Sequence, residues 1–312
     1  MMFFVIRRLI WLPITLFGVM IFIFFLLNAL PGDPVTAMAG PRATPEMRKA
    51  IEEKFHLNEP VPIQLVYFIK NVFQGDLGRS IWDGRPVLEL IGNALPNTAI
   101  LALSSLFLAI IIGIPLGAVS AIHHNTFTDF LIMGLSFLVV SIPDFVSALL
   151  LLLFLSVTLN LFPVSGLGSG ILDQIHHLIL PAAALSLPWI GYVARVVRGT
   201  MLDVLSTPYI KMEKSFGLPL IFIWGKYALR NAISPAIATL GVMMGKLLGG
   251  AVLIEIIFTR PGLGRLVAES VATRNIPVIQ GTVLVTATLF ILSNLVADIS
   301  YMFVDPRIRY ER

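Results

Sequence analysis

The most constraining feature of this sequence is the recurrence of apolar stretches long enough to cross a bilayer. A membrane helix needs about 20 mostly apolar residues. The first stretch covers 9–30, and others cover 98–122, 130–159, 178–197, 233–257 and 278–304. The pattern predicts an all-α integral membrane protein with six transmembrane helices. The run at 9–30 is longer than a signal-peptide core, and Ala29-Leu30-Pro31-Gly32-Asp33 is not a small-residue cleavage site. It is expected to be a retained anchor.

Charge agrees with this reading. Only 13% of the 312 residues are charged, against roughly 25% in a soluble domain. That argues against a cytosolic enzyme, a nucleic-acid module and a disordered chain. A net charge of +4 gives no strong attraction to polyanions, and the absence of cysteine excludes disulfides and Cys-ligated metals. Prolines 115, 143, 181, 188 and 235 fall inside apolar stretches. There they free backbone carbonyls that protein or water must satisfy. Gly113, Gly117, Gly241, Gly245, Gly249 and Gly250 are small enough for close helix contact.

The basic residues set the orientation. With cytoplasmic termini, the inner segments hold Arg7, Arg8, Arg198, Lys211, Lys214, Lys226, Arg230, Arg307, Arg309 and Arg312. Only Asp129, Asp203, Glu213, Asp305 and Glu311 oppose them. The positive-inside rule therefore predicts both termini in the cytoplasm, although Arg260, Arg265 and Arg274 count against it. The outer segment 31–97 carries seven basic and eight acidic residues. Thr44-Pro45 opens one candidate helix there, with Met47, Ile51 and Phe55 at helical spacing, and 61–73 is a second. A small helical extracytoplasmic insertion is expected after the first span. The domain plan is 1–30, 31–97, a transmembrane domain over 98–304 with a cytoplasmic segment at 198–232, and a tail at 305–312.

Catalytic groups do not converge. Gly225-Lys226-Tyr227 and Gly245-Lys246-Leu247 lack the Ser/Thr of a Walker A loop, and Gly166–Gly170 reads as a turn. No ATP hydrolysis and no directly bound cofactor or metal is expected. His123-His124 and His176-His177 are adjacent pairs that diverge by about 100° on a helix, so they suit polar boundaries better than chelation. Ionisable residues at membrane depth are functional candidates: Asp144, Lys246 and Glu255 for a translocation path, with Asp298 near the inner boundary. The contexts Ile-Pro-Asp-Phe and Val-Ala-Asp-Ile lack the settings of intramembrane aspartyl proteases.

The segment 206–235 contains a short helix over 209–216, stopped by Gly217 and Pro219. Such a helix between two spans acts as a lever if it docks in a partner, or as an interfacial helix resting on lipid.

Several motifs occur in order along the chain. Ile6-Arg7-Arg8-Leu9, Leu30-Pro31-Gly32-Asp33-Pro34, Gly75-Asp76-Leu77-Gly78 and Arg85-Pro86-Val87 are followed by Leu95-Pro96-Asn97-Thr98 and Ser141-Ile142-Pro143. Leu229-Arg230-Asn231-Ala232, Phe258-Thr259-Arg260-Pro261-Gly262-Leu263-Gly264-Arg265, Pro277-Val278-Ile279-Gln280 and Asp305-Pro306-Arg307-Ile308-Arg309 come later. With these motifs the chain resembles, over essentially its whole length, the inner-membrane permease subunits of bacterial ABC importers for di- and oligopeptides and nickel. The resemblance implies the type I importer transmembrane fold and a second permease of similar fold. It also implies two cytoplasmic ATPases that bind ATP and magnesium, and an extracytoplasmic binding protein. The family's coupling segment maps to Lys211-Met212-Glu213 followed by Gly217. Here Lys-Met-Glu replaces the usual small residues, and Phe216 stands where Lys is common. Tyr209, Ile210, Lys211, Met212, Glu213, Lys214 and Gly217 are thus the expected ATPase-coupling residues. Arg260, Pro261, Gly262, Gly264 and Arg265 are the expected outer gate or dock, together with the segment 31–97.

The expected function is ATP-driven peptide import by alternating access, with nickel or metal-chelate import as the alternative. A secondary transporter driven by an ion gradient predicts uptake by this chain alone and usually an internal repeat. No convincing repeat is seen.

Overall fold

The computed structural model describes residues 2–29, 44–46, 49 and 58–304. Among them, helices account for all regular structure apart from one isolated bridge between Arg79 and Pro86. The candidate helix at Met47, Ile51 and Phe55, His56, the side chain of Asp298 and the motif at 305–309 lie outside the described residues.

The helices are α1 (Met2–Asn28), α2 (Val61–Phe73), α3 (Val87–Ile122), α4 (Phe127–Ser141) and α5 (Asp144–Leu151), which continues as a π-turn segment Leu152–Thr158. Next come α6 (Ile171–Ser206), α7 (Pro208–Ser215) and α8 (Leu220–Phe222), which runs into a second π-turn segment, Ile223–Leu229. The last are α9 (Arg230–Gly250), α10 (Val252–Ile257), α11 (Leu263–Ala272) and α12 (Ile276–Val304).

Four of these contain a stretch long and apolar enough to cross a membrane: Ile10–Asn28, Val87–Ile122, Ile171–Ser206 and Ile276–Ala297. A fifth arises if Phe127–Ser141 and Asp144–Thr158 are one broken span, but they meet at 104°. The span expected over 130–159, with Pro143 inside it, is broken there because Pro143 has no N–H and forces Ile142 into an extended conformation, ψ 126°. The candidate span 233–257 is divided at Ala251 into α9 and α10. The span expected at 98 begins earlier, since α3 starts at Val87.

The chain forms two compact units. One comprises Met1–Val5, Ala99–Arg260 and Phe290–Arg312, and the other Ile6–Thr98 and Pro261–Leu289. The second differs from the expected plan by drawing in 261–289.

In the first unit α6 is central. It packs against α4, α5, α7, α9 and α10, and it is the most buried of the four long apolar helices. Pro181 and Pro188 lie within it and are accommodated among these neighbours. Close approach is bought with small residues: a Cβ at Gly117 of α3 would stand 2.5 Å from the Ala194 carbonyl oxygen and 2.8 Å from Val197 Cβ. Gly113, Gly241 and Gly245 also sit at helix contacts. In the second unit Val87, Ile91, Ala94, Leu263 and Val278 form one core cluster, and Ile23, Leu27 and Ile279 form another.

The contact at Gly117 leads to a test. Gly117→Val is expected to destabilise the protein by about 1–3 kcal/mol through overpacking, lowering the thermal midpoint of the detergent-solubilised importer. Gly134→Val, at a site with nothing within 4 Å of its Cβ, is the control. Equal losses in both would refute the close-contact role of Gly117.

Candidate functional site

Helix α7 follows Thr207, which is extended, and begins with Pro208, whose missing N–H is harmless in a first turn. It ends in a Schellman motif. Gly217 N–H donates to Lys214 O at 3.0 Å, Leu218 N–H donates to Glu213 O at 3.3 Å, and Gly217 takes φ +79°. A Cβ at Gly217 would meet nothing within 4 Å, so backbone conformation alone selects glycine there. Ile210 is fully buried and anchors the helix. Tyr209, Met212 and Phe216 are exposed at i, i+3 and i+7 and make one apolar stripe, while the exposed Lys211 and Lys214 lie on another side of the helix. Glu213 is half-buried. Thus, of the expected coupling residues, Ile210 serves as the anchor. Phe216, noted in the sequence only as a departure, belongs to the presented face.

At the α3–α4 turn a buried ion pair holds α4 to α6. Asp129, 4% exposed, accepts from Arg198 Nε and Nη2, both at 2.7 Å, in a bidentate pair. Ser120 Oγ donates to its Oδ1 at 2.5 Å, and the backbone N–H of Asn125 donates to its Oδ2 at 3.0 Å. His124 Nδ1 lies 3.2 Å from Asp129 Oδ2 and 3.1 Å from Arg198 Nη2. The sequence pattern showed these residues as inner-face charges and a boundary histidine. It did not pair them, because 69 positions separate Asp129 from Arg198.

The outer motif is split between the two units. In the first, Thr259 has φ +53°, Arg260 N–H donates to Glu255 O at 2.8 Å, and the Phe258 carbonyl accepts from Gly166 N–H at 3.1 Å. Glu255 and Arg260 are both buried, and Nε and Nη1 of Arg260 have no hydrogen-bond partner among the described residues. Burial pushes the Arg260 pKa down, and the Glu255 carboxylate opposes that shift.

In the second unit Leu263 N–H donates to Thr98 Oγ1 at 2.8 Å, and Asn97 Nδ2 donates to Pro261 O at 3.0 Å. These bonds join Leu95-Pro96-Asn97-Thr98 to the start of α11. Pro261 is exposed, Gly262 is extended and buried, and Gly264 lies in the first turn of α11. Arg265 Nε reaches Glu269 Oε1 at 2.6 Å. The loop 75–86 interlocks with 270–275. Asn275 Nδ2 donates to Ser80 Oγ at 3.0 Å, Ile81 N–H donates to Asn275 Oδ1 at 3.2 Å, and the exposed Trp82 donates to Thr273 O at 3.1 Å. A hydrogen bond from Ser80, with that from Arg85, holds the Asp83 carboxyl below the usual range.

At membrane depth, Asp144 begins α5, and its carboxylate caps the N–H of Phe145 at 2.9 Å. Lys246 Nζ lies 5.7 Å from the ring centroid of Trp189. Arg195, which the sequence reading passed over although it lies within 178–197, stands 4.9 Å from the Phe137 ring and 5.6 Å from the Tyr192 ring. His176 and His177 meet backbone carbonyls of Leu161 and Asp173 at 3.0 and 2.8 Å. Among the described residues no group of three His, Asp or Glu side chains gathers as a metal site.

The motifs and this geometry agree with what known proteins show. Residues 113–310 match the family described as binding-protein-dependent transport system inner membrane component, and residues 1–102 match its N-terminal family. The chain belongs to that family. Over 310 residues it is 41% identical to the oligopeptide transport system permease protein AppB of Bacillus subtilis, covering 97% of this chain and 98% of that one. It is 36% identical to a probable peptide ABC transporter permease, y4tP, of Sinorhizobium fredii, covering 98% and 99%. It is also 36% identical to the glutathione transport system permease protein GsiC of Escherichia coli, covering all of both chains. The fold is similar to a chain of the inward-facing MetNI methionine ABC transporter, with TM-score 0.60 and 17% identity, covering 70% of this chain and 97% of that one. The protein is therefore an integral inner-membrane permease subunit and not an enzyme, and ATP hydrolysis is carried out by separate ATPases. The family implies ATPase and substrate-binding partners.

The inner-edge ion pair has a measurable consequence. Asp129→Ala strands a partly buried guanidinium and is expected to cost about 3 kcal/mol, the low end for breaking a buried pair. The readout is the midpoint of the assembled importer. Asp129→Ala combined with Arg198→Met is expected to recover part of the loss. A single variant as stable as the parent would sink the assignment.

Proposed function

We propose that this permease forms, with a second permease of similar fold, the translocation path of an ATP-driven importer of di- and oligopeptides. Two cytoplasmic ATPases drive it and an extracytoplasmic binding protein delivers substrate. Both termini lie in the cytoplasm. The printed names of the full-length relatives support the substrate class: peptide, oligopeptide and glutathione.

The observation that carries the mechanism is α7. A helix of two turns is marginal by itself. This one is held by the Ile210 anchor, by Pro208 at its start and by the Gly217 cap at its end. It offers Tyr209, Met212 and Phe216 to an apolar groove of the partner, and Lys211 and Lys214 are exposed on another side of the helix. A partner that moves α7 moves α6, because α7 packs on α6. Through the Asp129–Arg198 pair it also moves α4. ATP-driven closure of the ATPases thus biases two packings of the spans that lie close in free energy, and transport needs no catalytic residue. On the outer side, the interlocked loops 75–86 and 270–275 form a dock for the binding protein.

Gly217→Val places a β-branched residue at φ +79°, where such residues are strained. Reconstituted with its partners, that importer is expected to lose peptide uptake and peptide-stimulated ATPase activity. Gly217→Asn, which tolerates this conformation better, is expected to keep most of both. Normal stimulated ATPase activity in Gly217→Val overturns the coupling role. Nickel uptake without peptide uptake by the parent overturns the substrate class, and uptake by this chain alone overturns the ATP-driven mechanism.

A further inference from the structure

Three cations lie along the inner half of α6 and its contact with α9, and they are treated differently. Arg198 has a buried carboxylate of its own. Arg195, one turn outward, has none among the described residues: there its Nε is buried without a hydrogen-bond partner, and its guanidinium lies against the faces of Phe137 and Tyr192. Lys246 of α9 makes no ion pair among the described residues and rests over Trp189. Trp189 and Tyr192 are themselves in contact, with centroids 6.3 Å apart. The result is one continuous cluster of Phe137, Arg195, Tyr192, Trp189 and Lys246.

An unpaired cation at membrane depth is costly, and it persists where it faces water or a ligand. Contact with an aromatic face offsets part of the cost without neutralising the charge. Tyr192 and Lys246 are exposed on this chain, so the cluster opens away from the packed side of α6. Among the described residues, Asp129 is engaged by Arg198, Glu255 is buried near Arg260, and the Asp144 carboxylate accepts from the Phe145 amide.

We propose that Arg195 and Lys246 form a two-point cationic site on the translocation path that takes the carboxylates of the passing peptide. Arg195 offers a planar fork that matches a carboxylate, and Lys246 a single point charge. Trp189 and Arg195 are six residues apart, about 9 Å of rise along a helix. Lys246 Nζ rests at the Trp189 level, so the two cations stand at different heights along α6. The site therefore suits a peptide with two carboxylates, one at its C-terminus and one on an acidic side chain. Two weak points hold the peptide without trapping it, as passage requires. This inference rests on the peptide-import reading above.

The test uses the whole importer, with its partner permease, ATPases and binding protein, in proteoliposomes. Initial uptake is compared for one acidic tripeptide as the free acid and as its C-terminal amide with a neutral side chain. Because the binding protein is common to every arm, a change in the acid-to-amide ratio reports the permease. Lys246→Gln and Arg195→Gln are each expected to lower that ratio about tenfold, the worth of one charged hydrogen bond. Lys246→Arg and Arg195→Lys are expected to restore most of it. An unchanged ratio in Lys246→Gln, an exposed substitution that preserves the fold, overturns the proposal and leaves peptide import standing. An effect that follows the anionic lipid content of the vesicles, and not the peptide's carboxylates, also overturns it by assigning the cations to headgroups. A parent importer that takes up no peptide overturns both readings together.

Discussion

Inside a bilayer the backbone has no water to bond with, so each N–H and C=O must find a partner in the chain itself. This protein meets that demand with helices, and its departures are few and local. They include the break at Ile142-Pro143, between two helices that pack on the central helix α6, the π-turn segment Ile223–Leu229, which packs on α6 itself, and the segment Leu152–Thr158, which continues α5. Irregular backbone at such sites often accompanies function. The central position of α6 follows from the same economy. A helix that neighbours cover on several sides can carry two prolines and a row of polar side chains that a lipid-facing helix would expel.

The few charges are then distributed by what can compensate each of them. Asp129 and Arg198 neutralise each other with geometry good enough to justify burial, since Ser120 and the Asn125 amide satisfy the remaining acceptor sites. Arg260 is buried beside Glu255. Among the described residues Arg195 and Lys246 have ring faces and no carboxylate. A membrane protein keeps an incompletely compensated charge only where something else meets it, so these two residues mark a surface of different purpose from the ion-paired core.

The proposed mechanical coupling runs through the same helix. α6 carries Trp189, Tyr192 and Arg195 along one stretch, Arg198 a turn further on, and α7 directly beyond its end. A displacement at α7 is thereby delivered to the helix that bears the proposed peptide contacts. The stiffness of the connection comes from close backbone packing at Gly117 and from the bidentate pair.

Much of this was legible in the sequence. Apolar stretches gave the membrane class because hydrocarbon thickness sets a length that few other folds require. Gly217 and Pro219 marked the end of α7, because positive φ and a missing N–H are local properties of those residues. The family motifs lay open for the same reason: each is a short contiguous string. What the sequence left open depended on partners distant in the chain. The 104° break was written in Pro143, but its angle was set by packing. Asp129 and Arg198 met only once α4 lay against α6, and the inward turn of Ile210 with the outward turn of Phe216 needed the seating of α7. Thus residue type and local spacing determined that this chain is a helical membrane permease with a short capped helix at 208–215. Tertiary structure alone decided which charges are spent on each other and which stay available, because compensation depends on distance in space and not on distance along the chain.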